Sequence, residues 1–234
     1  MFDQTTLRGR TIAATMKLAA ERPWRDVTLL DIAEATGVTL VDIKHEFSSK
    51  ADILAAFSRA VDDEVLRRAP KRDTSIGARD AIFEIVMSRF DALAPYKDAI
   101  RSIAKSPPTL DPGFAMTALA SQHWMLQAAG VDTSGVGGKA KVSGLAAVYA
   151  SVLRTWLDDD DPGLARTMAA LDRRLRRGER TLTNIHDLGA GVNRVAGAVS
   201  SFVSSFAARR GRATGQRTEE TAPPRPEEYP GTPV

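Results

Sequence analysis

The 234-residue chain is predicted to be all-α, a two-lobe helical protein with a helix-turn-helix at its N-terminus. Three observations lead there. Three hydroxyl-x-x-acid helix starts fall within Val27–Leu54: Thr28 with Asp31, Thr39 with Asp42, and Ser49 with Asp52. In each, the hydroxyl accepts from a free first-turn N–H and the acid favours the helix N-terminus. Gly37 stands between the first two, where a left-handed residue ends one helix and lets the next depart steeply. Beyond residue 68 the apolar residues recur at helical spacing, and no period-2 alternation is long enough to build a sheet.

The elements follow in order. A first helix is expected over Thr5–Glu21, broken by Pro23-Trp24. Two short helices flank Gly37, the second spanning Thr39–Phe47, and a long fourth helix leaves from Ser49. Such a pair can place its second helix in a DNA major groove. Ala69–Ile76 is polar, holds a proline and reads as the connection between lobes. Helix five spans Ala78–Leu93, with Ile82, Phe83, Val86, Phe90 and Leu93 on one face. Ala94–Lys105 forms another helix, and prolines at 107, 108 and 112 break the chain before a helix over Phe114–Ala129. Thr133–Gly138 reads as a glycine-rich loop, followed by a helix over Lys139–Asp158. Asp158–Asp161 reads as a solvated acidic run ending in a cap, with Pro162 opening a helix that carries Leu164, Met168, Leu171 and Leu175. This divides the chain into a headpiece (1–68), a second lobe (76–180), an amphipathic region (181–212) and a proline-rich, disordered tail (213–234).

The pattern Asp31-Ile32-Ala33, Gly37-Val38-Thr39, Phe47, Ser49-Lys50, Leu54 resembles the DNA-binding domain of TetR-type repressors over the first 60 residues. The resemblance implies a homodimer that binds double-stranded DNA through Thr28, Thr39, Leu40, Val41, Lys44, His45 and Lys50. The recognition helix departs from the family: Leu40, Val41 and Asp42 replace a small or basic residue and Gly-Thr, and Lys44 replaces a phosphate-contacting Tyr. Residues 1–60 carry eight basic and eight acidic side chains, a poor balance for releasing counterions from DNA.

The second lobe resembles a lipid-binding family that assists coenzyme Q (ubiquinone) biosynthesis. The similarity rests on Arg79-Asp80, Arg89–Leu93, Trp124, Ala129-Gly130, Ala146–Tyr149, Trp156, Asp158–Asp161, Thr167, Leu171 and Arg174. That family shares the TetR-type fold and dimer, and leaves its DNA-reading helix unused. The resemblance implies a small apolar or isoprenoid ligand, with Phe114, Trp124, Met125, Tyr149 and Trp156 as candidate lining. Aromatic and Met residues at helical spacing are also ordinary core.

Other chemistry is not signalled. The chain has no Cys, so disulfides and thiolate metal sites are excluded, in keeping with a cytoplasmic protein. Met1–Arg10 lacks the apolar run of a signal peptide. Ser134–Lys139 has Thr133 and Ala140 where a phosphate loop needs Gly and Ser or Thr. His45, His123 and His186 have no mutual metal-ligand spacing. No enzyme and no cofactor are expected.

Residues 163–217 hold eleven Arg against three acids. Within them, Val199, Phe202, Val203 and Phe206 share one face of Gly191–Arg210, with serines opposite. That pattern suits a helix lying on a membrane surface, or one docked on protein. Two functions therefore stand: a ligand-responsive DNA-binding regulator, and a lipid-presenting accessory protein of ubiquinone biosynthesis that keeps the fold without binding DNA.

Overall fold

The computed structural model describes residues 1–69, 75–106 and 112–185; side chains at 112–114 and 180–185 lie outside that description. Among the described residues there are nine α-helices, two 3-10 turns and no strand. The helices are α1 (Leu7–Glu21), α2 (Leu29–Thr36), α3 (Leu40–Glu46), α4 (Lys50–Arg68), α5 (Ala78–Leu93), α6 (Lys97–Lys105), α7 (Pro112–Ala128), α8 (Gly135–Leu157) and α9 (Ala165–Ile185). The amphipathic stripe of Val199, Phe202, Val203 and Phe206 lies outside the described residues.

The helix starts are local chemistry. Thr28 and Thr39 each accept from the N–H of the acid three residues on, while that acid accepts from the threonine backbone, closing two capping boxes. Ser49 caps α4 through the Asp52 N–H at 3.1 Å. Gly37 adopts φ +72° at the end of α2, and its neighbour Val38 donates back to Ala33 O at 3.1 Å. A side chain at Gly37 would be strained by that conformation rather than by crowding.

Helices α1–α3 close a small core of Ile12, Met16, Ala19, Trp24, Val27, Ile32, Ile43 and Phe47, all buried. Helix α4 runs out of the headpiece and packs along α7 and α5, while α6 lies against α1. The lobes are thus joined by a shared helix and by a direct contact. Ser102 on α6 makes that contact specific: it accepts from Trp24 N at 3.0 Å and donates to Arg22 O at 3.1 Å.

Several expectations need correction. Within residues 94–105 the helix α6 runs after Pro95, from Lys97, and a 3-10 turn at Ala94–Tyr96 precedes it. Helix α8 starts at Gly135, inside the expected glycine-rich loop, with Gly138 N–H bonded to Ser134 O at 3.0 Å. Gly138 packs so closely on Thr133 that a Cβ would collide with its backbone. Pro162 does not open α9. It lies in a turn whose Asp161 carboxylate accepts from Gly163 N and Ala165 N, and α9 begins at Ala165. Nor is the acidic run wholly solvated. Asp159 is buried and accepts from Thr167 N at 2.8 Å and Thr167 Oγ1 at 2.6 Å, bonds that lower its pKa. Leu171 and Leu175 of α9 are buried in the protomer's own core and so are not available to a dimer mate.

Candidate DNA-reading face and interlobe network

The outward face of α3 is built by what the inward face consumes. Ile43 turns into the headpiece core and is 1% exposed. Val41 and His45 lie on the side away from Ile43, Leu40 and Lys44 flank them, and all four side chains are exposed. Leu40 and Val41 are 46% and 61% exposed, large values for aliphatic residues in a helix.

Both acids of this helix are already engaged. Asp42 accepts from Thr39 N at 2.9 Å and Thr39 Oγ1 at 2.6 Å, bonds that lower its pKa and keep it ionised within the capping box. Glu46 lies 3.7 Å from the Arg8 guanidinium, which also donates to Glu46 O at 3.2 Å and covers the Phe47 ring at 4.6 Å. The acids that count against DNA binding in a charge sum are therefore tied to local partners. What remains on the face is two aliphatic side chains, Lys44 and His45.

The other candidate contacts are placed differently. The Thr28 hydroxyl donates to Asp31 at 2.6 Å and accepts from its N–H, so it is occupied as a cap. Asp31 also meets Arg22 at 2.9 Å. The Thr28 donors and Arg22 together lower the Asp31 pKa to about 2. Lys50, expected to touch DNA, turns inward: its ammonium donates to Trp24 O at 3.1 Å and to Val27 O, and sits 4.3 Å from the Trp24 ring centre. Burial lowers its pKa, opposed by Asp31 and Asp26. Nothing in the sequence near Lys50 announces this, because its acceptors lie 23 and 26 residues earlier in the chain.

The expected ligand-lining residues do not form one wall. Phe114 belongs to the first turn of α7, and its side chain lies outside the description. Met125 is in the core. Tyr149 and Trp156 stack on Phe90 at 5.3 and 5.4 Å. Trp124 points to the outside of α7 and is 53% exposed. The second lobe's centre instead holds a polar network that sequence reasoning missed. Arg89 on α5 pairs with Asp62 on α4, and donates to Ser58 Oγ and to Tyr149 Oη, each at 3.0 Å. Ser121 on α7 donates to Asp62 at 2.5 Å. Arg89 and Asp62 are both buried, so four helices converge on one desolvated ion pair.

Comparison with known proteins agrees with this architecture. Residues 12–57 match the family described as "Bacterial regulatory proteins, tetR family". Two crystal structures superpose over most of the chain. A TetR transcriptional regulator from Nitrosomonas europaea ATCC 19718 gives a TM-score of 0.59 at 23% identity, covering 74% of this chain and 98% of that one. A TetR transcriptional regulator from Rhodococcus sp. RHA1 gives 0.59 at 17% identity, covering 75% and 97%. The fold is TetR-type. No curated protein matches the chain. The matched residues 12–57 run from within α1 to within α4 and include all of α2 and α3. Among the described residues no helix is long and apolar enough to cross a membrane.

Proposed function

We propose that this protein is a ligand-responsive, DNA-binding transcriptional regulator acting as a homodimer. The observation that carries the reading is the α3 face: Leu40, Val41, Lys44 and His45 point outward while Asp42 and Glu46 are held by Thr39 and Arg8. In a major groove, Leu40 and Val41 suit the methyl groups of thymine, His45 suits base-edge or phosphate acceptors, and Lys44 suits a phosphate. Two headpieces in a dimer would read two half-sites about one helical turn apart. The outer faces of α8 and α9 carry the exposed Val136 and Met168, and supply the apolar contact for a mate. A small apolar ligand would act by shifting the headpieces relative to that dimer. The α4 helix and the Ser102 contact offer rigid routes for the shift.

The experiment is a salt titration of duplex binding. Lys44→Ala is expected to weaken binding to all sequences alike and to lower the slope of log K against log salt by about one. An unchanged slope removes Lys44 from the phosphate contacts.

One observation favours a second reading, a lipid-presenting accessory protein of ubiquinone biosynthesis with an isoprenoid ligand. Leu30, Leu40 and Val41 are three exposed aliphatic side chains on the headpiece, whose formal charge over residues 1–60 balances to zero. Such a surface also suits a protein or membrane partner, with residues 191–210 as a peripheral membrane contact. Vesicle flotation separates the readings: strong vesicle binding with no salt-sensitive DNA binding supports the second.

A further inference from the structure

A groove of about 930 Å3 runs between α1, α4 and α7 and joins headpiece to second lobe. Phe2 and Ile12 line it from the headpiece, Leu66 from α4, and Met116, Ala120 and Trp124 from α7. Met116 and Trp124 are 65% and 53% exposed, so two large apolar side chains stand open on one face of α7. Charge favours neither sign of occupant, because Arg8, Arg59 and the Met1 ammonium balance Asp3, Asp62 and Asp63 across the lining. A neutral, apolar occupant fits.

The chain itself carries such a segment. No charged residue stands between Arg194 and Arg209, and the stripe Val199, Phe202, Val203 and Phe206 shares one helical face with serines opposite. The segment lies outside the described residues, but its point of departure is defined. Helix α9 ends at Ile185, six residues past Glu179, which lies 3.8 Å from Arg79 at the start of α5. The connection 69–77 ties that start to the end of α4, and Leu66 stands two residues before that end. Residues 186–198 reach up to roughly 43 Å when extended, ample to pass around this end of the lobe. The lengths also agree: α4 runs about 15 Å from Ala56 to Leu66 along the groove, and a helix runs about 16 Å from Val195 to Phe206.

We propose that residues 195–208 dock as an amphipathic helix in the interlobe groove of their own chain, with Val199, Phe202, Val203 and Phe206 set against Met116, Ala120 and Trp124. The serine face then stays in water, and the exposed apolar face of α7 is covered. Because the groove has walls from both lobes, the docked segment ties headpiece to second lobe beside the Ser102 contact. The same stripe cannot lie in the groove and on a bilayer at once, so this docking competes with the peripheral membrane contact of the second reading. It rests on neither functional reading.

The test uses the full-length chain, whose lack of cysteine makes engineered thiols unambiguous. Ala120→Cys is combined in turn with Val199→Cys, Val203→Cys, Ser201→Cys and Ser204→Cys, and disulfide formation under mild oxidation is followed by non-reducing electrophoresis and peptide mass mapping. At least one valine position should cross-link within the chain about tenfold faster than either serine position, because the two Cβ atoms must come within roughly 3.5–4.5 Å. Equal rates from both faces overturn the proposal: fast ones mark a free tether, and slow ones with flotation on phosphatidylserine vesicles give the stripe to a bilayer. Disulfides joining two chains place the segment on a partner's groove and overturn docking within one chain. Acrylamide quenching gives a second readout without engineered thiols. Trp24 and Trp156 are buried, so quenching reports Trp124. Phe202→Ser/Phe206→Ser should raise the quenching constant, and the rise should vanish in the Trp124→Phe background. A constant unchanged by the double serine variant overturns the proposal.

Discussion

Replacing Arg89 by Met removes the cation from the centre of the second lobe while roughly keeping its volume. The native guanidinium satisfies Asp62, Ser58 and Tyr149, with Arg89 and Asp62 only 5% and 8% exposed. Without it, Asp62 keeps the Ser121 bond but becomes a buried, uncompensated carboxylate. Breaking a buried pair from one side costs about 3–5 kcal/mol, against a typical total stability of roughly 5–15 kcal/mol. For a chain of this size, each kcal/mol lowers the melting temperature by about 2–4 °C, so a drop of roughly 6–20 °C is expected. Thermal unfolding followed by circular dichroism measures that drop, and urea unfolding measures the free-energy loss, provided the m-value is unchanged. The double variant Arg89→Met/Asp62→Leu should recover much of the loss, because an apolar pair carries no desolvation penalty. A single-variant cost below about 1 kcal/mol, or a double variant as unstable as the single, would refute the claim that the pair is desolvated.

Three further outcomes follow from the geometry. Ser102→Ala leaves the partly buried Trp24 N–H without its acceptor and should cost about 1–3 kcal/mol; amide exchange at Trp24 should rise, and equal protection would show the contact to be dispensable. Asp31 has its pKa lowered from 3.8 to about 2, so its stabilising contribution is complete above pH 4 and disappears as pH falls through 2. The melting-temperature gap between wild type and Asp31→Asn should therefore close over that window, and a gap constant from pH 6 to 2 would contradict the capping account. Met168→Glu should convert a dimer to a monomer by sedimentation without unfolding it, whereas Leu171→Glu, at a fully buried site, should unfold the protomer; the reverse pattern would place the interface elsewhere.

What the sequence made legible was local. Thr28–Asp31, Thr39–Asp42, Ser49 and Gly37 write helix ends into stretches of a few residues, and each stands where its spacing predicts. Helix α5 was legible over Ala78–Leu93 because its apolar period is unbroken. Pro162 misled because a proline after an acid looks like a helix start; Asp161 instead caps Ala165 across a turn that forces Leu164 to φ +51°. The α8 start was hidden because glycines in a row read as loop, yet they permit the close contact with Thr133. The candidate site divides the same way. The outward run of α3 follows from periodicity, but the neutralisation of Glu46 needs Arg8 from another helix. Arg89 with Asp62, and Lys50 with the Trp24 and Val27 carbonyls, join residues that only the tertiary fold brings together.

The central claim is that α3 reads DNA, and selection from a random duplex library tests it most directly. The account predicts enrichment of a two-fold symmetric site with half-sites about 10 base pairs apart, lost in Val41→Asp while the headpiece stays folded. It also predicts thymines facing Leu40 and Val41. Recovery of no preferred sequence, or a site read equally well by Val41→Asp, would contradict it.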